Sequence, residues 1–386
     1  MALAYGADAV YLAGKEFGMR SAAGNFDDDE LRRAVTLAHS MGKKVYVACN
    51  TLPREEELRR LPPFLELVRD AGADALIVSD LGVLALAKRF APGVALHAST
   101  QMGVVNSASA NVLHAMGADT VVLARELSLE EIRKIRANTP SELRLEAFVH
   151  GAMCVSFSGR CVLSNYMTGR DCNRGECAQP CRWKYHLVEE KRPGQYFEIS
   201  EDGGTYILNA RDLNMIKHLQ DLADAGVSGF KIEGRTKSAY YTAVVTNAYR
   251  HALDAAAERE DAPAVWVNET EMVSHRPYCT GFYYGEPDQY PDEACYINGA
   301  EVVAVVEECE ADGYALLTQR NKFAVGEELE LLCPDREPTR FVCDSIEDED
   351  YGSLLEAAHP MMRLRMNLPF CAPRLSIVRR RREAGT

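Results

Sequence analysis

Residues 72–80 read GADALIVSD, and residues 117–125 read GADTVVLAR. In both stretches a glycine follows a helical pattern and precedes a short, apolar, β-branched run. A glycine just past a helix tolerates the left-handed conformation that turns the chain back towards a sheet. Gly6-Ala7-Asp8 repeats the motif, and Gly226 repeats the glycine position. The recurrence predicts strands and helices that alternate along the chain, as they do in α/β proteins.

Short apolar runs with almost no alternation are typical of strands that are buried on both faces. Seven such runs are predicted to be strands: Ala9–Ala13, Lys44–Cys49, Ala75–Ser79, Ala95–Ser99, Thr120–Ala124, Arg144–His150 and Gly229–Glu233. Helices lie between them, and Ser128 with Glu131 forms a capping box at the start of one. The alternation predicts a TIM-like (β/α)8 barrel. A doubly wound sheet is the alternative, but no G-x-G-x-x-G follows the first strand.

The helical rhythm stops beyond Asp261, where short strands separated by Gly, Asp and Pro predict an all-β domain. These strands are Val302–Val306, Tyr314–Thr318, Glu328–Leu332 and Phe341–Asp344. We therefore expect a barrel domain over residues 1–260, with a Cys-rich insertion at 151–205, and a small acidic β-domain over 261–386.

Three further segments have local predictions. Within the insertion, Tyr185–Glu189 and Thr205–Leu208 are predicted to form a hairpin. A helix is expected over Asp212–Ala225. The basic run from Arg379 to Arg382 is interpreted as a solvated tail.

The composition excludes several classes of protein. Hydrophobic residues make up 47% of the 386 residues, which is enough for a full core and argues against disorder. A formal net charge of −14 argues against broad non-specific binding to nucleic acid. No apolar run reaches the length of about 18 residues that spans a membrane, and MALAYGAD lacks the pattern of a signal peptide. The sequence therefore predicts a cytoplasmic protein without membrane contact.

Five of the twelve cysteines lie between Glu146 and Tyr185, at positions 154, 161, 172, 177 and 181. Clustered cysteines in a chain without a secretory segment favour a metal over disulfides. Structural zinc commonly uses Cys-x2-Cys pairs, and this segment has none. Its wider spacings, Cys-x6-Cys and Cys-x3-Cys, suit an iron–sulfur cluster, whose thiolates approach from a larger shell. Zinc and ordinary buried thiols remain alternatives.

The cysteine-rich segment is locally basic in an acidic chain. Between Gly151 and Tyr185 there are five basic residues and two acidic ones, namely Arg160, Arg170, Arg174, Arg182 and Lys184 against Asp171 and Glu176. A local patch of this kind fits an anionic partner, and chance surface charge is the alternative.

The active sites of barrels gather at the carboxyl ends of their strands. Seven polar residues at those ends are candidates for substrate binding: His97, Ser99, Gln101, Arg125, His150, Glu233 and Arg235. The cations favour a carboxylate or phosphate through charge-assisted hydrogen bonds. The alternatives are that the polar groups brace the loops, and that Arg125 and Arg235 form structural ion pairs with Glu126 or Glu233.

The runs at residues 146–161 and 173–185, EAFVHGAMCVSFSGRC and NRGECAQPCRWKY, resemble the signature of peptidase family U-32, the collagenase-like family. The resemblance extends from Tyr5 to about Arg379. It implies a 4Fe–4S cluster whose ligands are Cys154, Cys161, Cys177 and Cys181. Resembling proteins begin with a further strand, so the barrel is expected to lack its first strand. Either the native start lies upstream of Met1, or a gap precedes Ala9–Ala13.

The resemblance implies an iron–sulfur-dependent hydroxylase of RNA, because the family includes proteins that form 5-hydroxyuridine at the wobble position of tRNA with a requirement for prephenate. Related two-protein systems add the expectation of a partner subunit. The alternatives are a collagenase-like peptidase and a non-catalytic protein in which a metal stabilises a loop. No G-x-S-x-G or H-E-x-x-H motif is present, so a peptidase would use Cys154 with His150. The sequence assigns no catalytic residue.

Overall fold

The computed structural model describes residues 1–19, 24–154, 156–159, 161–183, 187–188, 196–197, 210–287, 296–348, 352–359 and 361–382. The chain divides into two compact units. The first, called here the α/β unit, comprises Asp8–Thr236 and Arg276–Cys295. The second, called the β unit, comprises Met1–Ala7, Lys237–His275 and Tyr296–Thr386.

The strands of the α/β unit include all seven that the sequence predicts. In chain order they are β1 (Ala9–Leu12), β2 (Lys44–Cys49), β3 (Ala75–Val78), β4 (Ala95–Ala98), β5 (Thr120–Val122), β6 (Arg144–Ala152), β7 (Leu187–Val188), β8 (Tyr196–Phe197), β9 (Asp212–Asn214), β10 (Gly229–Ile232) and β11 (Tyr278–Cys279). Strands β1 to β6 are parallel neighbours in chain order, and β10 adds to β6, also in parallel. Every residue of β3 is buried, as its apolar sequence predicts.

The helices of this unit follow the strands as the sequence predicts. They are α1 (Asp28–Ser40), α2 (Leu61–Asp70), α3 (Leu81–Phe90), α4 (Ser107–Ala115), α5 (Leu129–Ala137), α6 (Leu163–Thr168) and α7 (Leu219–Asp224). The capping box of Ser128 and Glu131 is present at the start of α5. None of the helices within the described part of the chain has the length and apolar character needed to cross a membrane.

In the recurrent Gly-Ala-Asp motif, the glycine and the aspartate have different structural roles. Gly72 and Gly117 take the left-handed conformation, with φ of 77° and 107°. The aspartate that follows two residues later accepts a hydrogen bond from the neighbouring strand: Asp74 from Val45 N at 2.8 Å, and Asp119 from Leu96 N at 2.8 Å. The motif therefore ends a helix and attaches the next strand to its neighbour.

The sheet does not close within the described residues, so a (β/α)8 barrel is not confirmed. Among the described strands, β10 pairs with β6 alone and β1 pairs with β2 alone. The two edge strands nonetheless approach each other through side chains, because Lys231 Nζ lies 4.1 Å from the centroid of the Tyr11 ring. The strand order lacks the reversal that characterises a doubly wound sheet. The described fold is a curved, mainly parallel α/β sheet.

The predicted helix Asp212–Ala225 is wrong at its start. Asp212 begins β9, which pairs antiparallel with the end of β6 and parallel with β11. The reason is a buried ion pair, in which Asp212 Oδ1 accepts from Arg276 Nη2 at 2.8 Å and from its Nε at 3.1 Å. This pair holds the backbone extended, and helix α7 starts only at Leu219.

The predicted hairpin also differs. Strand β7 pairs antiparallel with β8, at Tyr196–Phe197, instead of with the predicted partner. Thr205–Leu208 lies outside the described residues.

The β unit contains the predicted all-β region and more strands than predicted. Its strands are β12 (Ala300–Cys309), β13 (Tyr314–Gln319), β14 (Phe323–Ala324), β15 (Glu328–Cys333), β16 (Arg336–Val342), β17 (Ile346–Asp348), β18 (Gly352–Leu354), β19 (Glu356–Ala357), β20 (Arg363–Asn367) and β21 (Ile377–Arg381). Eight of them form one sheet in the order β16-β15-β21-β12-β13-β20-β17-β18. Side chains such as Val303, Leu317 and Leu331 form its core.

The unit boundary does not follow the expected division at residue 260. Helices α8 (Ala239–Ala257) and α9 (Ala264–Glu269) belong to the β unit. One cause is that Asn247 Nδ2 donates a buried hydrogen bond to the carbonyl oxygen of Cys333, at 3.0 Å. The interpretation of Arg379 as part of a solvated tail is wrong, since Arg379 lies in β21 and is fully buried.

Candidate functional site

The side chain of Gln101 joins the carboxyl ends of three neighbouring strands. Its Oε1 accepts hydrogen bonds from Asn50 Nδ2 at 2.8 Å, Ser79 Oγ at 3.2 Å and Ser99 Oγ at 3.5 Å. These three donors follow β2, β3 and β4. Because an amide oxygen has only two lone pairs, these donors saturate it. Gln101 therefore braces these three strand ends, and substrate contact by Ser99 or Gln101 stays a prediction.

The cysteine-rich segment lies directly on these strand ends. Glu126, which follows β5, accepts hydrogen bonds from Ser158 N at 2.8 Å and from Ser158 Oγ at 3.1 Å. Next along the chain, Gly159 approaches Gln101 so closely that an added Cβ would lie 2.2 Å from the Gln101 carbonyl oxygen. The segment is thus seated on the polar end of the sheet, where the sequence predicts a site.

A third attachment comes from an ion pair remote in sequence. Arg174 donates from Nη1 and Nη2 to the two carboxylate oxygens of Glu57, at 2.9 and 2.8 Å. The Arg174 hydrogen bonds, with help from the backbone of Arg54, lower the pKa of Glu57 to about 2. A planar guanidinium that binds both carboxylate oxygens also fixes orientation, so the segment is held in one position over the strand ends.

The inner face of the curved sheet carries a cluster of charged and phenolic side chains, called here the inner cluster: Tyr11, Arg125, Lys231 and Glu233. Lys231 Nζ lies over the ring of Tyr11 and 5.9 Å from the centroid of Phe148. Burial lowers the pKa of Lys231, against the opposing effect of Glu146 and Glu233. Burial and the Glu233 carboxylate raise the pKa of Tyr11 well above its ordinary value. The cluster places cations and acids together below the strand ends.

Arg125 points into this cluster and does not pair with Glu126. Its guanidinium carbon lies 3.8 Å from the centroid of the Phe148 ring, and Nη1 donates to the carbonyl oxygen of Ala152 at 2.8 Å. Glu126 binds Ser158 instead, so the predicted alternative of an Arg125–Glu126 ion pair is not formed. Arg125 therefore supports the chain just before Cys154.

The two remaining candidates, Glu233 and Arg235, follow β10 and form hydrogen bonds with each other and with the loop after β1. Arg235 Nη2 donates to Asn25 Oδ1 at 2.6 Å, and its backbone N–H donates to Glu233 Oε1 at 3.3 Å. The guanidinium of Arg235 thereby reaches the loop after β1. Cations that lie between strand ends in this way suit a carboxylate or phosphate.

The two histidines lie deeper than predicted. His97 sits within β4 and is 1% exposed, with its Nδ1 3.6 Å from Glu146 Oε1 and its ring edge on Tyr46. Burial, then Lys231, Arg144 and Lys44, lower the pKa of His97 to about 3. The ring is therefore neutral at physiological pH. His150 is buried in β6 with its ring centroid 5.3 Å from that of Tyr278.

Three of the four predicted cluster ligands, Cys154, Cys161 and Cys177, lie near one another, and Cys172 lies near Cys161 and Cys177. Burial raises the pKa of Cys154, and the Cys161 and Cys177 thiols raise it further. Cys172 donates its thiol proton to the carbonyl oxygen of Cys161 at 2.8 Å, and burial with the nearby Cys161 and Cys177 thiols raises its pKa to about 12. A thiol committed as a donor is a poor metal ligand, since ligation requires the thiolate.

Cys161 has the opposite environment. Burial acts to raise its pKa, but hydrogen bonds from the Ser156 hydroxyl and from the backbone of Leu163 and Ser164 outweigh burial and lower the pKa. The backbone N–H of Gln179 donates to Cys177 Sγ at 3.4 Å. Hydrogen bonds of this kind stabilise thiolates. Within the described residues, no group of three or more His, Cys, Asp or Glu side chains is arranged to hold a single metal ion.

Sequence reasoning missed Tyr11 and Glu146 as members of the site. Both are polar or phenolic residues within strands, and each is in register with an inner-face residue: Tyr11 with Tyr46, and Glu146 with Gly229. Period-two alternation is the signal that identifies them, because partners in a parallel pair project to the same face. The signal is weak here, since the strands are apolar on both faces.

Comparisons with known proteins give consistent results over the whole chain. Residues 1–292 match Peptidase family U32, and residues 298–379 match the Peptidase family U32 C-terminal domain. The chain is 36% identical to "tRNA hydroxylation protein P1" of Bacillus subtilis (strain 168) over 375 residues, which cover 95% of this chain and 88% of that protein.

Two further relatives have different names. "23S rRNA 5-hydroxycytidine C2501 synthase" of Escherichia coli (strain K12) is 40% identical over 284 residues, 71% of this chain and 42% of that protein. "Collagenase" of Porphyromonas gingivalis (strain ATCC BAA-308 / W83) is 33% identical over 298 residues, 74% of this chain and 70% of that protein. The predicted family is confirmed, and this chain belongs to peptidase family U32.

Proposed function

We propose that this chain is an RNA-modifying hydroxylase that forms 5-hydroxyuridine in tRNA, with a 4Fe–4S cluster and a requirement for prephenate. The observation that carries the proposal is the similarity to tRNA hydroxylation protein P1 over 95% of the chain. The similarity to the 23S rRNA 5-hydroxycytidine C2501 synthase supports the same class of reaction. Both names specify the hydroxylation of RNA.

The donor set fits an iron–sulfur cluster on Cys154, Cys161, Cys177 and Cys181. Four thiols come from one segment, and hydrogen bonds lower the pKa of the Cys161 thiol, which favours the thiolate form that a metal needs. Cys172 is separately committed to the Cys161 carbonyl oxygen. A bound cluster would supply one-electron chemistry.

The protein's own residues supply binding and position. Glu57, Glu126 and Gln101 seat the cysteine-rich segment on the strand ends. Arg235 and the inner cluster provide cations beside it, which suit the carboxylates of prephenate or a phosphate of RNA. We also propose that the seven parallel strands belong to a (β/α)8 barrel that lacks one strand between β10 and β1.

The similarity to a collagenase makes a peptidase the second candidate. The predicted nucleophile and base would be Cys154 and His150. The pKa of Cys154 is raised by burial, and His150 is buried with its ring against Tyr278. An activated cysteine nucleophile has a lowered pKa, so these environments favour the hydroxylase.

The test is complementation of a strain in which the gene is deleted, with nucleosides from its tRNA measured by mass spectrometry. We expect 5-hydroxyuridine to disappear on deletion and to return with the wild-type gene. Cys177→Ser is expected to restore neither the nucleoside nor the iron content of the purified protein. Arg235→Ala is expected to keep the iron and lose the nucleoside, because it removes an anchor for an anionic substrate.

The matched control is Cys371→Ser, which removes an exposed cysteine of the β unit and should leave both readouts unchanged. Normal tRNA hydroxylation in the deletion strain would contradict the proposal. Cleavage of a collagen peptide that Cys154→Ser abolishes, in the same strain background, would instead establish the peptidase.

A further inference from the structure

Exposed apolar side chains are concentrated on the cysteine-rich segment. Of seventeen large hydrophobic side chains that are exposed in the described residues, five lie within residues 157–183: Phe157, Val162, Tyr166, Met167 and Trp183. Tyr166 is the most exposed of all seventeen, at 86%. Scattered single apolar residues on a surface are normal, whereas a concentration of them marks an interaction site.

Helix α6 buries a small polar residue and exposes large apolar ones, which is the reverse of an ordinary surface helix. Its small polar residue, Ser164, is fully buried, and Ser164 Oγ accepts a hydrogen bond from Ala178 N at 3.0 Å. Its large residues Tyr166 and Met167 face outwards. Helix α6 also packs against the turn Pro180–Arg182, and Trp183 directly follows this turn. Because Ser164 is on the buried side of the helix, Tyr166 and Met167 are exposed to solvent.

One cation at this surface is left available by the described part of the fold. Arg170 is exposed, and its guanidinium has no ion pair or hydrogen bond to the described residues. Arg174 differs, because Glu57 neutralises it. The segment has five basic residues against two acidic ones in a chain whose formal net charge is −14. An exposed guanidinium of this kind can bind a phosphate through charge-assisted hydrogen bonds.

We propose that Val162, Tyr166, Met167, Arg170 and Trp183, called here the aromatic surface, bind unpaired nucleotides of an RNA loop. This inference rests on the proposed function for the identity of the polymer. Bases in RNA loops stack on exposed aromatic rings, and arginine binds the phosphates between them. Tyr166 and Trp183 supply the rings, and Arg170 supplies the phosphate contact.

The location agrees with a role in presenting the target base. Val162 directly follows Cys161, and Trp183 lies two residues beyond Cys181. A base that stacks on these rings is therefore held beside the predicted cluster ligands. Tyr, Trp and Arg are also common at protein–protein interfaces, so the choice of RNA rests on the proposed function and on the stacking and phosphate contacts that a ring and a cation together give to a single strand.

The experiment measures binding of a fluorescein-labelled tRNA anticodon stem–loop with uridine at the wobble position, by anisotropy, to anaerobically purified full-length protein. Tyr166→Ala is expected to weaken binding about tenfold, within the range found for base–aromatic stacking. Tyr166→Phe, which keeps the ring, should bind like the wild type. Arg170→Ala should reduce the slope of log affinity against log salt concentration by about 0.7, as expected for one phosphate contact to a single strand.

Two substitutions elsewhere serve as controls. Leu355→Ala removes a side chain that is 84% exposed, and Arg33→Ala removes an exposed arginine of α1. Neither should change affinity or its salt slope. Affinities of Tyr166→Ala and Arg170→Ala within twofold of the wild type would overturn the inference. So would loss of a co-purifying protein with RNA affinity unchanged, since the surface would then bind a protein.

The outcome is separable from that of the proposed function. If Tyr166→Ala binds the stem–loop normally and also restores 5-hydroxyuridine fully in the deletion strain, the aromatic surface is wrong and the hydroxylase stands. If the deletion strain keeps its hydroxylated tRNA, the proposed function fails, while the anisotropy measurement still decides whether the surface binds an RNA loop.

Discussion

Arg379 shows how one buried charge organises its surroundings. Its guanidinium donates to both carboxylate oxygens of Glu269, at 2.7 and 2.6 Å, and to Glu330 Oε2 from Nε at 3.0 Å and Nη2 at 2.9 Å. The hydroxyl of Tyr240 accepts a further bond at 3.2 Å. Burying these charges costs free energy that their mutual attraction offsets only while every partner is present. The cluster therefore makes β21 intolerant of change at this one residue.

We predict that Arg379→Met lowers the free energy of unfolding by about 3–5 kcal/mol, because it removes the cation that the buried Glu269 carboxylate pairs with, whereas Glu330 keeps its pairs with Arg381 and Arg340. The control is the adjacent residue on the same strand. Arg380 is half-buried and pairs with Glu301 and Glu327, so Arg380→Met should cost no more than about 1 kcal/mol. Chemical denaturation of both variants measures the difference. Equal losses of unfolding free energy in the two variants would show that the buried pairs stabilise the fold no more than the half-buried ones.

At the scale of elements, the cysteine-rich segment depends on contacts with three separate strand ends. Gly159 takes φ of 75° and packs against Gln101, while Gly169 takes φ of 71° at the end of α6 with no atom within 4 Å of an added Cβ. The two glycines have nearly the same backbone conformation but different surroundings. They therefore allow backbone strain to be separated from close packing.

We predict that Gly159→Ala displaces the cysteine-rich segment and that Gly169→Ala does not. Both substitutions strain the backbone by roughly 1–2 kcal/mol, but only the first drives a methyl group into the Gln101 carbonyl oxygen. Limited proteolysis should cut Gly159→Ala faster within residues 156–183, and its iron content should fall. Identical cleavage rates for the two variants would contradict the close approach.

At the scale of the whole molecule, acid is expected to destabilise the fold. Several carboxylates have pKa values below the ordinary value, including Glu57, Glu131 and Glu330. Hydrogen bonds and nearby arginines cause these shifts, so the unfolded chain takes up these protons at higher pH than the folded chain. The stabilisation that these carboxylates give to the fold is present above pH about 4.5 and is lost as the pH falls below that value.

His97 raises the pH at which the loss of stability begins. Its pKa falls from 6.5 to about 3 on folding, so below pH about 6.5 the unfolded chain binds a proton that the folded chain excludes. Stability should therefore decline between pH 6.5 and 4.5, with His97 contributing up to about 1.4 kcal/mol per pH unit. His251, whose pKa burial also lowers, adds a contribution of the same sign.

We predict that His97→Gln flattens this decline without removing it. Urea unfolding at several pH values between 4.5 and 7 measures the slope, which does not depend on any constant loss of stability in the variant. His359→Gln replaces an exposed histidine and serves as the control. A His97→Gln curve that runs parallel to that of the wild type would show that His97 titrates alike in both states.

Local patterns in the sequence determined the seven parallel strands, the helices between them and the family. The glycines at positions 72 and 117 end their helices through their own backbone conformation, and a buried strand needs only its own apolar residues. The candidate ligands were likewise visible, because their spacing lies within one short segment. Such features depend on residues close together in the chain, so the sequence alone predicts them.

Only the tertiary structure decided the features that depend on distant partners. Arg379 is buried because Glu269, 110 residues away, accepts its hydrogen bonds. Asp212 is extended because Arg276, 64 residues away, neutralises it, and Arg174 is held by Glu57 across 117 residues. The sequence does not show which partner a charged residue will have. Without a partner, the cost of desolvation keeps the charge in solvent, whereas a paired charge can be buried. The folded chain settles which, by bringing the opposite charge within hydrogen-bonding distance.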